Sequence, residues 1–332
     1  MTTARTTRAA WYEKNGEARD VMVLGDLPLQ APSAGEVCVH LLTSGVNPSD
    51  VKSRRARPLT DPWVVPHSDG AGIIEAVGPG VSEKRIGERV WIWNAQWQRA
   101  HGTASEAIVL PESQAVKLSD NTDFAAGACM GIPGLTAVQA VHLAGDENLR
   151  GKKVLVTGAS SAVGHYITQM VTQYGGHVIG TVGSDAKAAH AKAAGAVETI
   201  FYKTEPVVER LKAFGQGRGV DVIIDMDFAT ASQWVTTGGL APHGQLVGYG
   251  SNVVGDVPLT FRSLLFNSIG LKFFLVYDLL PADRAWCITR LNELLAAGQL
   301  KHTMGARFKL AQIVQAHEAV ETGQMGNVVI DL

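Results

Sequence analysis

The run Val154-Leu155-Val156-Thr157-Gly158-Ala159-Ser160-Ser161-Ala162-Val163-Gly164 constrains the fold more than any other stretch of this chain. It reads as a buried β-strand, a tight turn of small residues and the start of a helix. That order puts a pyrophosphate on a helix N-terminus, where free backbone N–H groups and the helix dipole favour negative charge. It therefore points to a dinucleotide cofactor and to redox chemistry. A full fingerprint has glycine at three places in such a turn. Counting back from Gly164, the other two hold Ser161 and Ala159. Gly164 keeps the close approach of helix to strand, and Ser161 and Ala162 are small enough to let the backbone reach a phosphate.

The next strand, His177–Val182, selects the cofactor. An NAD site puts a carboxylate at this strand end, on the ribose 2′-hydroxyl. Here Val182 is followed by Gly183 and Ser184, and Asp185 comes later as a helix N-cap, a place Asp takes for structural reasons. A hydroxyl at Ser184, the compact charge of Lys187 and Tyr202 at the end of the following strand suit a 2′-phosphate. The set points to NADPH.

Around this turn, strands 153–157, 177–182, 198–202, 221–226, 245–250 and 271–277 alternate with helical stretches 165–174, 186–194 and 207–214. This predicts a doubly wound parallel sheet. Before it, up to about Ser119, short β-rich segments with turn signals predict a partly open β-barrel; the candidates are 36–42, 72–78, 88–93 and 106–110. A strand also begins around Ala9–Tyr12. The stretch 125–144 is helical with an interruption at Gly131-Ile132-Pro133-Gly134. The tail reads as helices 282–297 and 312–322 and a strand 327–332, expected to rejoin the first domain.

A formal charge of −2 over 332 residues gives no basic field for nucleic acid. No apolar run is long enough to span a bilayer. Residues 1–8 have no apolar core of a secretory leader, so a cytoplasmic protein is expected. Cys38, Cys129 and Cys287 form no metal-like spacing and read as small buried residues in a reducing compartment.

The chain resembles the zinc-independent quinone oxidoreductase branch of the medium-chain dehydrogenase/reductase superfamily. The resemblance is carried by Ser44-Gly45-Val46-Asn47-Pro48-Ser49-Asp50, Pro66-His67-Ser68-Asp69-Gly70-Ala71-Gly72, Gly87-Glu88-Arg89-Val90, Gly102-Thr103-Ala104-Ser105-Glu106 and Gly134-Leu135-Thr136-Ala137, together with the Ser184, Lys187 and Tyr202 spacing. It implies an α/β protein with a GroES-like catalytic domain (1–128 and 279–332) around a Rossmann domain (129–278). It also implies NADPH-dependent reduction of quinones or α,β-unsaturated carbonyls, in a homodimer paired through a Rossmann sheet edge. The apolar segment Leu271–Tyr277 is the candidate edge, since such an edge needs covering.

By this resemblance Asn47 and Thr136 lie near the nicotinamide and its ribose. Ser161, Ala162 and Val163 stand at the pyrophosphate, and Gly183, Ser184, Lys187 and Tyr202 at the 2′-phosphate. Gly248, Tyr249, Gly250 and Ser251 lie beside the adenosine half. Phe274, Leu275 and Val276 hold the carboxamide through their backbone, and Asn327 is a late contact. Zinc-dependent relatives have Cys at the place of Asn47 and a His–Glu pair at the place of Ser68-Asp69. Neither Asn nor Ser is a plausible zinc ligand, so no catalytic metal is expected.

Without a metal, the charge formed on the acceptor oxygen needs a hydrogen-bond donor. Asn47 is the first candidate, followed by Ser49 and Lys52. Asp50 and Asp69 read as structural hydrogen-bonders, and His67 and His101 as loop histidines. Trp91, Trp93 and Trp97 have two readings, a wall of the acceptor site or core packing, and Trp63 shares that ambiguity. Two other functions remain open: zinc-free alcohol or carbonyl chemistry, and an NADPH-binding protein without turnover, crystallin-like or RNA-binding.

Overall fold

The structure, a computed structural model, describes residues 5–332. The leader reading of residues 1–4 lies outside them. The chain forms two compact units. One runs to Gly134 and resumes over Ile288–Leu332; the other is Leu135–Cys287. The boundaries thus fall after 134 and 287, where the sequence places them after 128 and 278. The segment Met130–Gly134 stays with the first unit because Gly131 sits against Asp69 and the Ile92 and Trp93 backbone.

The first unit opens with strand β1 (Thr6–Trp11), one helical turn α1 (Ala18–Val21) and β2 (Val23–Pro28). Then come β3 (Glu36–Val46), helix α2 (Pro48–Ala56), β4 (Asp69–Val77), β5 (Arg89–Ile92), β6 (Ala107–Pro111), β7 (Ala115–Lys117) and α3 (Phe124–Gly127). A π-helical turn carries Pro133 over Met130–Gly134. Trp93 lies just past the end of β5, so the strand predicted over 88–93 is shorter than its pattern.

The second unit begins with α4 (Leu135–Ala144) and alternates β8 (Lys153–Val156), α5 (Ala162–Gln173), β9 (His177–Val182), α6 (Asp185–Ala193), β10 (Glu198–Phe201), α7 (Val207–Phe214), β11 (Val220–Asp225), α8 (Phe228–Thr236), β12 (Leu240–Gly248), α9 (Phe261–Phe266) and β13 (Gly270–Phe273). All ladders are parallel in the order β10-β9-β8-β11-β12-β13. This is the dinucleotide-binding order, with its switch point between β8 and β11. Leu155, Ile179, Ile200, Ile223 and Leu246, one from each of five successive positions in the sheet, are fully buried. Each such side chain stabilises the fold by about 1.5–3 kcal/mol relative to exposure.

Strand β13 is the sheet edge, but it stops at Phe273 rather than Tyr277. Its partner β12 ends at Gly248, opposite Phe273, so residues beyond have no ladder to join. The chain turns into a 3₁₀ turn at Val276–Asp278.

Helix α10 (Pro281–Ala296) leads back into the first unit, followed by β14 (Met304–Lys309), α11 (Ile313–Glu321) and β15 (Asn327–Asp331). The tail inserts β15 between β14 and β3, giving the order β14-β15-β3-β4-β5-β7, with β6 also on β3. Val37, Val39 and Leu41 alternate inward along β3 and pack on Ile74, Val90, Ile92, Ile108 and Leu110. Among the described residues, no helix is long and apolar enough to cross a membrane.

Candidate active site

In the second unit, β8 ends at the turn predicted from the sequence. Gly158 adopts φ +59°, and its N–H donates to Thr181 Oγ1 at 2.8 Å. Ser161 caps α5, its Oγ accepting from the Gly164 N–H at 3.0 Å, while its own N–H closes the turn on the Gly158 carbonyl. The N–H groups of Ala162 and Val163 open the helix and have no acceptor within it. These are the donors left for a phosphate. A Cβ at Gly164 would stand 2.2 Å from the Gly158 oxygen, so only glycine fits there.

At the end of β9, Ser184 rather than Asp185 caps α6, accepting from the Lys187 N–H at 3.4 Å; Asp185 is the first helical residue. The shorter side chain caps here because the extended backbone at Ser184 places its Oγ over the first turn. Tyr202 follows the neighbouring β10 and is 45% exposed, its ring facing Gly183. Lys203 Nζ lies 5.9 Å from the centre of that ring. The cation Lys203 was not singled out in the sequence. This end of the sheet offers a helix N-terminus, a hydroxyl and two lysines, which fits a 2′-phosphate.

At the switch point, Thr157 Oγ1 donates to Asp225 Oδ1 at 2.7 Å. Burial pushes the Asp225 carboxyl up to about 6. Among the described residues, Asp225 Oδ2 and the buried Tyr249 hydroxyl have no hydrogen-bond partner, and both lie at the carboxyl ends of their strands. They are groups to which ribose hydroxyls can bond. The residues of this unit therefore fit a dinucleotide. Thr136 is buried in the first turn of α4. Of the segment 274–276, the Phe274 N–H is engaged with the Gly248 carbonyl at 3.3 Å and the Val276 carbonyl with Arg284 at 2.6 Å. Gly250 accepts from the Phe228 N–H.

In the first unit, Asn47 is the N-cap of α2 and is 5% exposed. Its backbone N–H donates to Asp50 Oδ2 at 2.7 Å, and its side-chain Nδ2 donates to Asp69 Oδ2 at 2.8 Å. Asp50 and Asp69 are buried, so both are structural hydrogen-bonders as the sequence suggested. Burial raises Asp50 to about 7, against hydrogen bonds from Asn47 and Ser68 that favour its charge. Burial, reinforced by the nearby Asp50, also lifts Asp69 well above the usual carboxylate range. Ser49 stands half-buried on the first turn of α2, and Lys52 is on its exposed face. Asn327 begins β15 with its Nδ2 on the Thr303 carbonyl at 3.1 Å. Among the described residues, no group of three or more His, Cys, Asp or Glu side chains could hold a metal ion.

The raised carboxyl of Asp50 has a consequence for stability. The folded chain holds a proton there from about pH 4 up to about 7, whereas the unfolded chain has released it, so folding loses stability as pH rises through that window. Asp50→Asn removes the titration. Its melting temperature relative to wild type is expected to be higher at pH 8 than at pH 5, by roughly 5 °C or more. A difference that does not change between the two pH values contradicts this.

His67 is no ordinary loop histidine. It is fully buried at φ +78°, with Nδ1 2.8 Å from Ser44 Oγ and Nε2 3.0 Å from His317 Nε2. Ser44 Oγ is 2.8 Å from Thr103 Oγ1, which donates to the Asp69 carbonyl. That carbonyl can only accept, which orients the whole chain. Thr103 spends its hydrogen there, so Ser44 donates to Thr103, His67 Nδ1–H donates to Ser44, and His317 Nε2–H donates to His67 Nε2. Burial keeps both imidazoles neutral, holding His317 down to about 3 and His67 well below its ordinary value. The sequence could not reveal this chain, whose bonded partners are up to 250 residues apart.

The tryptophans divide between the two readings. Trp91 is fully buried with Nε1 on Asn292 Oδ1 at 3.1 Å, so it is core. Trp93 donates to the Ser113 carbonyl at 3.1 Å, and Trp63 packs edge-on against His101. Trp97 lines a cavity.

Two family models match the chain: the alcohol dehydrogenase GroES-like domain over residues 33–120 and the zinc-binding dehydrogenase domain over residues 162–293. A quinone oxidoreductase of Pseudomonas aeruginosa is 32% identical over 261 residues, covering 75% of this chain and 76% of that one. A 2-haloacrylate reductase of Burkholderia is 28% identical over 336 residues, 97% of this chain and 98% of that one. A mycobacterial structure complexed with NADPH matches with a TM-score of 0.85 at 26% identity, over 98% of this chain and all of that one.

Proposed function

The chain belongs to the quinone oxidoreductase branch of the medium-chain dehydrogenase/reductase superfamily, and from that premise we propose that it reduces quinones or α,β-unsaturated carbonyls with NADPH and without zinc. It is an oxidoreductase of the NAD(P)-dependent kind. The observation that carries the cofactor choice is the end of β9, where a helix cap, a hydroxyl and lysines stand in place of a ribose-binding carboxylate. The Burkholderia relative's name specifies reduction of 2-haloacrylate, a conjugated acceptor, which supports the enone class.

When bound, the reduced nicotinamide supplies the hydride. The chain's part is to hold the cofactor and to stabilise charge on the acceptor oxygen. Asn47 Nδ2 carries two hydrogens and gives one to Asp69. That bond fixes which way the amide faces, so the second hydrogen is presented in one direction. A neutral amide donates at any pH, with no tuned pKa. Ser49 and Lys52, on the same helix, are the secondary donors. Thr136, Ser161, Ala162, Val163, Gly183, Ser184, Lys187 and Tyr202 are assigned to the cofactor, with 248–251, 274–276 and Asn327 as further contacts.

The test is NADPH oxidation, with NADH as comparison, on a panel of quinones and of cyclic and linear enones, with product analysis. Turnover with NADPH well above NADH is expected. Asn47→Ala is expected to lower turnover roughly 100-fold while NADPH affinity changes less than about tenfold. NADPH binding without turnover on the whole panel replaces this reading with that of a binding protein.

For the partner, we assign a second copy of the chain to the β13 edge. Phe273 is 55% exposed there, and Phe261, Leu265 and Phe266 of α9 are more exposed still. Phe273→Lys is expected to turn a dimer into a monomer in light scattering after size-exclusion chromatography; a wild-type monomer refutes the assignment.

A further inference from the structure

The first unit contains a cavity of about 240 Å³ that the cofactor reading does not use. Its apolar wall is made by Tyr12, Leu59 and Trp97, with Ser53 and Arg57 contributed by α2 and Arg99 by the loop that follows Trp97. None of its lining residues is acidic, and two are arginines.

Both arginines stand out by what they lack. Among the described residues, neither has a carboxylate within ion-pair distance, although most arginines of this unit have one. Arg57 lies with its guanidinium 5.2 Å from the centre of the Trp97 ring. It is not needed to satisfy the end of α2, because Asn15 Nδ2 covers the Ser53, Arg54 and Arg57 carbonyls at 3.2, 3.0 and 2.9 Å. Arg99 gives one N–H to the Val109 carbonyl at 2.5 Å, and burial lowers its pKa against the weaker opposing effect of Glu36, which is not within ion-pair distance.

The loop that presents these groups is itself held in uncommon backbone. Asn94 and Gln98 have φ +52° and +57°, a region side-chain-bearing residues seldom occupy. Gln114 fixes the Asn94 carbonyl at 3.1 Å, Gln96 the Arg99 carbonyl at 3.1 Å, and the Ala100 carbonyl accepts from Val65 at 2.8 Å. Such geometry persists where the surroundings over-determine it, and it clusters at ligand sites. Here it holds Trp97 and Arg99 toward the same space.

We propose that this cavity binds a small flat organic carboxylate, a single aromatic ring or a short conjugated acid. Its carboxylate lies between Arg57 and Arg99, and its plane lies along Trp97 and Tyr12. Guanidinium–carboxylate hydrogen bonds are charge-assisted and directional. The aromatic wall takes the conjugated plane, and stacking adds to the apolar burial. The volume is below the roughly 300–1,000 Å³ of drug-sized sites, which limits the occupant to about one ring.

The proposal does not rest on the reductase reading, and its test has its own readout. Benzoate is titrated calorimetrically into the full-length protein, with benzamide as the neutral isostere. Benzoate is expected to bind at least tenfold more tightly than benzamide. Arg57→Gln, Arg99→Gln and Trp97→Leu are each expected to weaken benzoate by about tenfold or more, while Arg262→Gln, at an exposed cation of the second unit that does not line this cavity, leaves it unchanged. Arg57 is exposed, so its variant reports even if Arg99→Gln fails to fold. Equal affinity for benzoate and benzamide, absence of binding, or an Arg57→Gln protein that binds as wild type overturns the proposal. Quinone turnover by Arg57→Gln, measured in parallel, keeps the two readings apart, because either can fail while the other stands.

Discussion

Gly164→Ala is expected to weaken NADPH binding at least about tenfold and to lower the melting temperature by roughly 2–12 °C. The added methyl would sit 2.2 Å from the Gly158 oxygen and 2.9 Å from its carbonyl carbon. Both atoms are backbone, so no side chain can rotate out of the way. The turn must open instead, and overpacking of this kind costs about 1–3 kcal/mol. Opening it moves the start of α5 away from β8, and the Ala162 and Val163 N–H groups go with it. The two effects are read separately, by thermal unfolding with and without NADPH. A variant that is stabilised by NADPH as strongly as wild type shows that the cofactor is held elsewhere.

Glu321→Ala is expected to cost about 3–5 kcal/mol. The Arg54 side chain is fully buried, with Nη1 on the Gly16 carbonyl at 2.7 Å and Nη2 paired with Glu321. Among the described residues, Arg54 Nε has no hydrogen-bond partner. Glu321 also holds Arg55 at 3.2 Å, but Arg55 keeps Glu17 at 2.7 Å, so the loss of Glu321 leaves one guanidinium, that of Arg54, buried without a counter-charge. Burial already lowers the Arg54 pKa, the direction expected of a costly interior cation. The double variant Arg54→Met with Glu321→Leu is expected to recover most of the loss, because the penalty comes from the orphaned charge rather than from the missing bond. Urea unfolding of the three proteins decides this; a double variant no more stable than Glu321→Ala contradicts it.

The Rossmann half was the more legible part of the sequence. Its strands are short continuous apolar runs, and burial on both faces writes them that way. The bounds of strand 177–182 and of helix 207–214 come out as read, whereas strand 245–250 starts late because Gly244 and His243 interrupt the pattern of β12. Helix α8 and strand β14 gave no signal. Helix α2 gave none either, since Lys52, Arg54 and Arg55 leave it little apolar face, yet it bears Asn47.

The site residues divide along the same line. Ser161 and Ser184 act locally, as caps within four residues, and local chemistry is visible in sequence. The partners of Asn47 and His67 are 22 and 250 residues away. Nothing in the order of the residues announces such pairs, because the hydrogen bonds exist only once the sheet has set its register. Asp69 could be called a hydrogen-bonder from its type, but that it would aim the Asn47 amide could not be read.

Strand β15 lies in the interior of its sheet, with Val328 against Val46 on one side and β14 on the other. The first unit is therefore completed only by residues 327–331. On a ribosome adding about 5–20 residues per second, β3 waits on the order of 15–60 s for its neighbour. The second unit, by contrast, is continuous in sequence and contains all of its own strands. It is the part that matures during synthesis, and the nucleotide-binding sheet is finished before the catalytic sheet can close. Until β15 emerges, β3 presents an unpaired interior edge, and this interval is when the nascent protein is most exposed to mispairing.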